Sequence, residues 1–145
     1  VADDTEELAE LVRHVSRALR RRTHAIAEPY GLTPHQLRAV RLIAYGTPDD
    51  EKASHPLRIS DIAERMRIVA RSVTDVVDDL EAKGLVRRAP HPTDRRSTIV
   101  DLTAQGRSVL EEVESRRAED ARQFFGQLTA DERRQLRRLL RRLDT

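Results

Sequence analysis

Two clusters of polar side chains stand out in this sequence. Arg71, Ser72, Thr74 and Asp75 form the first, and Arg87, Arg88, Asp94, Arg95 and Arg96 form the second. A guanidinium offers paired N–H donors that match phosphate oxygens or the O6/N7 edge of guanine. Hydroxyls reach phosphate or a base edge, and a carboxylate can accept from cytosine N4. The chemistry on offer is hydrogen bonding to duplex nucleic acid, with no bond made or broken. Each residue also has a plainer reading. Ser72 and Thr74 can simply cap or solvate a helix. Asp75 fits an ion pair with Arg71, four residues earlier, better than a contact with cytosine. Asp78 and Asp79 add negative charge that repels phosphate.

These clusters need elements to hold them. Ser60–Met66 reads as a short helix with Ile62, Ala63 and Met66 inward, and Ala70–Lys83 as a second with Val73, Val76, Val77 and Leu80 on its apolar side. Arg67-Ile68-Val69 is the turn between them, and Gly84 is placed to cap the second helix in a left-handed conformation. Leu85–Arg88 and Thr98–Leu102 can pair as a hairpin whose loop reads HPTDRRST. That order is a helix-turn-helix followed by a basic β wing, which seats one helix in a major groove and reaches beside it with the hairpin. Arg95 and Arg96 at the tip suit minor-groove insertion or a clamp on flanking phosphate, with Asp94 orienting an arginine and shaping the turn. Arg87, Arg88 and His91 widen the positive patch. The alternative is an ordinary polar hairpin.

Further helices flank this unit. Thr5–Ala27 follows helical spacing through Leu8, Leu11, Val12, Val15, Leu19 and Ile26, with an acidic start and later Arg13, Arg17, Arg20, Arg21 and Arg22. That arginine run is a solvated face or a phosphate-contacting one. Thr33-Pro34-His35-Gln36 starts the next helix as a capping box that ends near Gly46, and Thr47–Pro56 reads as a loop. Leu57–Ile59 suits a short strand or an extended lead-in. A long helix runs from Thr103 to about Phe125, and Thr129 with Glu132 caps a last helix carrying Leu136, Leu139, Leu140 and Leu143.

Composition narrows the class. The chain has 145 residues, with 36% charged, 3% aromatic and a formal charge of +2, so the core must be aliphatic and charge placement matters more than its sum. The absence of Cys excludes disulfides and thiol chemistry. His14, His24, His35, His55 and His91 are scattered, and neither a glycine-rich nucleotide loop nor an HExxH pattern occurs. The expectation is a non-enzyme without metal or cofactor. The acidic start VADDTEELAEL lacks a signal-peptide core, and no apolar run approaches the roughly 18 residues of a membrane span, so a cytoplasmic protein is expected.

The segment ISDIAERMRIVARSVTDVVDDLEAKGLVRR, followed by PHPTDRRSTIVDLTAQG, resembles the MarR family of winged helix-turn-helix regulators. The resemblance covers nearly the whole chain. It implies a mainly α fold with a small β hairpin (α+β), in which residues 1–32 and 103–145 pair two subunits and residues 33–102 bind DNA. Ala70–Lys83 becomes the recognition helix, and Asp94 and Arg96 fall on the family's Asp-x-Arg wing pattern, whose arginine usually enters the minor groove. The implied function is a homodimeric repressor of transcription on a palindromic operator, nucleoid-associated when bound and released by a small anionic or phenolic effector. His14, Arg17, Arg21, His35 and Arg38 are the expected effector-site residues. The competing reading is a winged-helix module that binds another protein, favoured by the acidic recognition helix. Three residues depart from the family pattern. Arg67 replaces a glycine at the turn, Val69 replaces a small polar cap, and Asp75 replaces a basic residue.

Overall fold

The computed structural model describes residues 3–46 and 56–144, so most of the expected Thr47–Pro56 loop lies outside the described residues. Helix α1 spans Asp4–Ala27, and a 3-10 turn over Glu28–Tyr30 leads to Gly31, whose φ of 72° reverses the chain. Helix α2, Pro34–Tyr45, begins with the capping box read from the sequence. The Thr33 hydroxyl accepts from Gln36 N–H at 3.2 Å, and Gln36 Oε1 accepts from Thr33 N–H at 3.2 Å. Helices α3 (Ile59–Met66) and α4 (Ala70–Ala82) form the helix pair, followed by long α5 (Ala104–Phe125) and α6 (Ala130–Leu143).

The hairpin is part of a three-stranded antiparallel sheet ordered β1-β3-β2, where β1 is Leu57–Arg58, β2 Val86–Pro90 and β3 Thr98–Leu102. Leu57 pairs with Val100, and Arg88 pairs with Val100 from the other side. The extended lead-in is therefore a real edge strand. It covers the open edge of the wing and ties the wing to the start of α3.

The core sits where α2, α3, α4, the sheet and the first half of α5 meet. Val40, Ile62, Met66, Val73, Val77, Leu80, Val86, Val100, Leu110 and Val113 are all buried there. The i, i+4, i+7 spacing of Val73, Val77 and Leu80 turns one stripe of α4 inward and leaves the opposite face to solvent. The root of the wing is bonded to α5. Thr103 Oγ1 donates to Gly84 O at 2.6 Å and accepts from Gly106 N–H at 3.0 Å, while Thr103 N–H donates to Leu85 O at 3.0 Å. A Cβ on Gly106 would lie 2.0 Å from Leu85 O, so this junction closes only around glycine.

In the single chain the outer helices leave much of their apolar stripes uncovered. Leu8, Leu11, Val12, Leu139, Leu140 and Leu143 are exposed, and α6 buries no residue. The α1 arginines are also not one uniform face. Arg22 reaches Asp120 on α5, with Nε 2.8 Å from Oδ2, and lies over the Phe124 ring.

Candidate nucleic-acid interface

The turn before α4 sets the pose of its exposed face. Arg67 adopts φ 56° and ψ 42°, a left-handed conformation at the turn position where the family pattern has glycine. A non-glycine residue there costs about 1–2 kcal/mol. Ile68 packs against the core and holds the turn down, while Val69 enters α4 in extended conformation with no side-chain cap. The first N–H groups of α4 therefore lack a side-chain acceptor from Val69, and these are groups that suit an anion.

Arg71 and Ser72 lie on the exposed side of the first turn of α4, and Asp75 is exposed one turn further on. Thr74 Oγ1 donates to Ala70 O at 3.1 Å, so its hydroxyl is engaged with its own helix, as the plainer reading had it. The expected Arg71–Asp75 ion pair is not among the ion pairs of the described residues. Physics accounts for this. An exposed i, i+4 pair contributes only about 0.2–0.5 kcal/mol, and less when the cation precedes the anion along the helix. Arg71 is left with an unpaired guanidinium among the described residues.

Arg88 behaves in the opposite way. Its guanidinium spans α4 and β2, with Nη2 on Asp78 Oδ1 at 2.5 Å and Nη1 on Glu81 Oε1 at 2.9 Å. Glu81 Oε2 also accepts from Arg88 N–H at 3.2 Å. The bond to Asp78 raises the guanidinium above its ordinary pKa; burial opposes that rise, and the fields of Asp78 and Glu81 add to it. Arg88 is thus a brace between the recognition helix and the wing, and it cancels much of the negative charge that Asp78 brings to α4.

The wing loop is built on hydrogen bonds. Asp94 Oδ1 accepts from Arg96 N–H at 3.1 Å and Oδ2 from Ser97 Oγ at 3.2 Å. His91 Nδ1 accepts from the N–H groups of Thr93 and Asp94 at 3.2 Å each. His91 therefore shapes the loop, beyond merely widening the patch. Asp94 shapes the turn as expected, but the guanidinium near it is that of Arg58, at 4.0 Å from Oδ2. Arg58 also donates its N–H to Asp61 Oδ2 at 2.9 Å, fixing the start of α3. Arg87, Arg95 and Arg96 are exposed and make no ion pair among the described residues.

Two positioning residues went unread in the sequence. Arg58 is one. The other is Lys83, whose ammonium donates to Gly31 O and to Gln36 Oε1, the latter at 2.8 Å. Gln36 is a buried polar residue, so this bond fixes the end of α4 against the start of α2. No local pattern announces either contact, because the partners are 36 or more positions apart in sequence.

A cleft of about 470 Å³ opens where α1, α2 and α5 meet. Leu19, Ala27, Pro34 and Leu37 give it apolar walls, and Arg20, His24, Arg38, Arg41 and Arg117 give it cationic ones. Of the expected effector residues only Arg38 lines it. His14, Arg17, Arg21 and His35 are exposed outside it, and no residue of α4 contributes. The cleft-facing stripe of α1 is rotated by about a third of a turn from the one chosen in the sequence. Glu114 on α5 offsets part of the charge, with Oε1 2.8 Å from Arg41 Nε and 3.0 Å from Arg117 Nη1.

A paired helix turn, a sheet-backed hairpin and arginines on the outer side of both define a winged helix-turn-helix DNA-binding regulator. Comparison with known proteins agrees. The profile of the MarR family matches residues 30–97. A Mycobacterium bovis protein named HTH-type transcriptional repressor Mb2911 is 30% identical over 144 residues, covering 99% of this chain and 96% of its own. The homoprotocatechuate degradative operon repressor of Escherichia coli is 30% identical over 115 residues, 79% of this chain and 72% of its own. The solved structure of a MarR family protein from Bacillus stearothermophilus superposes with a TM-score of 0.81 at 25% identity, over 99% of this chain and 96% of that one. The chain belongs to the MarR family, whose members are regulators of transcription and not enzymes. Among the described residues no helix is long and apolar enough to cross a membrane, and no three His, Asp or Glu side chains gather as a metal-binding group.

Proposed function

We propose that the protein is a homodimeric, sequence-specific repressor that acts in the cytoplasm on a palindromic operator. The observation that carries this reading is the division of labour among its arginines. Arg88 and Arg58 are bonded to neighbouring carboxylates, while Arg71, Arg87, Arg95 and Arg96 stand exposed on the helix and the wing. Arg71 and Ser72 reach base edges or phosphate in the major groove, with Asp75 beside them setting base preference. Thr74 backs that contact. Arg95 and Arg96 enter the adjacent minor groove, and Arg87 holds phosphate. Arg88 and Asp94 serve by fixing the helix–wing geometry. Residues 33–102 form the DNA-reading unit, and 1–32 with 103–145 pair the subunits. Two relatives named as repressors support the sign of regulation.

The effector fits the cleft between α1, α2 and α5. A small organic anion with a flat or apolar body would set its charge against Arg20, Arg38, Arg41 and Arg117 and its body against Leu19 and Leu37. Preference for one lobe spacing would then change operator affinity through linkage.

Binding to genomic fragments followed by footprinting tests the reading. A protected palindrome weakened by Arg71→Ala and Arg96→Ala is the expected result. Normal folding with no sequence preference even at low salt would overturn it in favour of a protein-binding winged helix, for which the exposed Asp75 and Asp79 would be the attraction.

A further inference from the structure

Among the described residues of α3, α4 and the turn between them, Val69 alone is an exposed large hydrophobic, at 68%. It stands at the N-cap of α4. That position favours Ser, Thr, Asp or Asn, whose side chains accept from the first helical N–H groups. Valine cannot accept, so the chain forgoes a cap and shows water an apolar knob at the same point. No burial within the chain offsets either loss.

The knob is firmly held. Ile68, the residue before it, packs against the core. Val69 O accepts from Ser72 N–H at 3.0 Å and from Val73 N–H at 3.3 Å, and Val73 is fully buried. The β-branched side chain has little rotamer freedom of its own. Ala70 beside it is exposed and carries only a methyl, too short to screen it. Arg71 and Ser72 follow on the exposed first turn. An apolar group of fixed shape thus sits among the polar ones proposed to reach base edges.

We infer that Val69 covers the 5-methyl group of a thymine in the major groove and is a specificity-determining residue for the operator. The inference rests on the DNA-reading role proposed for α4 and deepens it. The N-terminal residues of a recognition helix are the ones that reach base edges. Those edges present hydrogen-bond donors and acceptors and one apolar substituent, the thymine methyl. A side chain without donor or acceptor leaves the polar groups unsatisfied where it faces them, and removes apolar surface from water where it covers the methyl. Phosphate, the other surface within reach of this turn, offers an apolar side chain no favourable contact. Arg71 and Ser72 then address the polar edges beside the methyl.

The test changes each side of the contact in turn. The full chain selects its preferred duplex from a random-sequence library, and that duplex is prepared with thymine and with uracil, which lacks only the methyl. Wild type should bind the uracil duplex about fourfold more weakly for each methyl covered, or roughly fifteenfold for two half-sites. Replacing thymines one at a time should place the loss at one position in each half-site. Val69→Ser should bind the two duplexes within about twofold of each other. Its slope of log affinity against log salt should match wild type, because no phosphate contact is lost. The same variant should raise the unfolding midpoint, since serine restores the cap, so the lost preference is not damage to the fold. Equal wild-type affinity for both duplexes would overturn the inference. A uracil penalty that persists in Val69→Ser would also overturn it, by assigning the methyl to another side chain. In both cases the selected sequence would leave the DNA-reading role intact. A library that yields no preferred sequence would defeat the inference and that role together, and the bare valine would then point to a protein partner.

Discussion

The central unit and the outer helices are equally well formed as helices, yet they differ in what their apolar faces touch. Helix α4 turns Val73, Val77 and Leu80 into a shared core, whereas α6 has the same periodic leucines and buries none of them. Periodicity therefore reports that a face is apolar and says nothing of what covers it. The interior of α4 contributes to the stability of a single chain. The stripes of α1 and α6 can contribute only when something else arrives, so their energetic role depends on concentration.

Substitutions put this contrast to the test. Leu80→Ala should destabilise the chain by about 2–5 kcal/mol at any protein concentration, measured by urea unfolding, because it opens a cavity in packed core. Gly106→Ala should cost about 1–3 kcal/mol, since its methyl meets Leu85 O and the seam between wing and α5 must shift. Arg67→Gly should go the other way and stabilise by up to about 1 kcal/mol, by relieving the left-handed arginine. Leu140→Ala should change the unfolding of the dilute monomer by less than about 0.5 kcal/mol while weakening self-association. A large effect of Leu140→Ala in dilute monomer would end the contrast.

The same division can be tested within the interface itself. Arg95→Ala should flatten the slope of log affinity against log salt by about one, as loss of a phosphate contact does. Arg88→Met should lower affinity while leaving that slope unchanged, because its guanidinium is bonded to Asp78 and Glu81. Equal changes in slope for both variants would remove the distinction between braced and free arginines.

What was legible in the sequence is what neighbours along the chain decide. The capping boxes at Thr33/Gln36 and Thr129/Glu132, the left-handed Gly84 and Arg67, the missing cap at Val69 and the turn at Asp94 all follow from local hydrogen bonding and sterics. What was not legible depends on the packing of distant segments. Arg22 meets Asp120, Arg58 meets Asp94 and Lys83 meets Gln36 only after the fold is complete. The lining of the cleft was not legible for a related reason. Choosing the α1 residues that face it requires the rotation of α1 against α2 and α5, and the exposed stripe of α1 gave a competing phase.

The Lys83 tether has a mechanical consequence. Its stem leaves the final turn of the recognition helix, and its ammonium is moored to Gly31 and Gln36 at the hinge between the first two helices. Pro34 and Leu37, in the same segment, wall the arginine-rich cleft. One four-carbon side chain thus joins the end of that helix to the segment that walls the cavity.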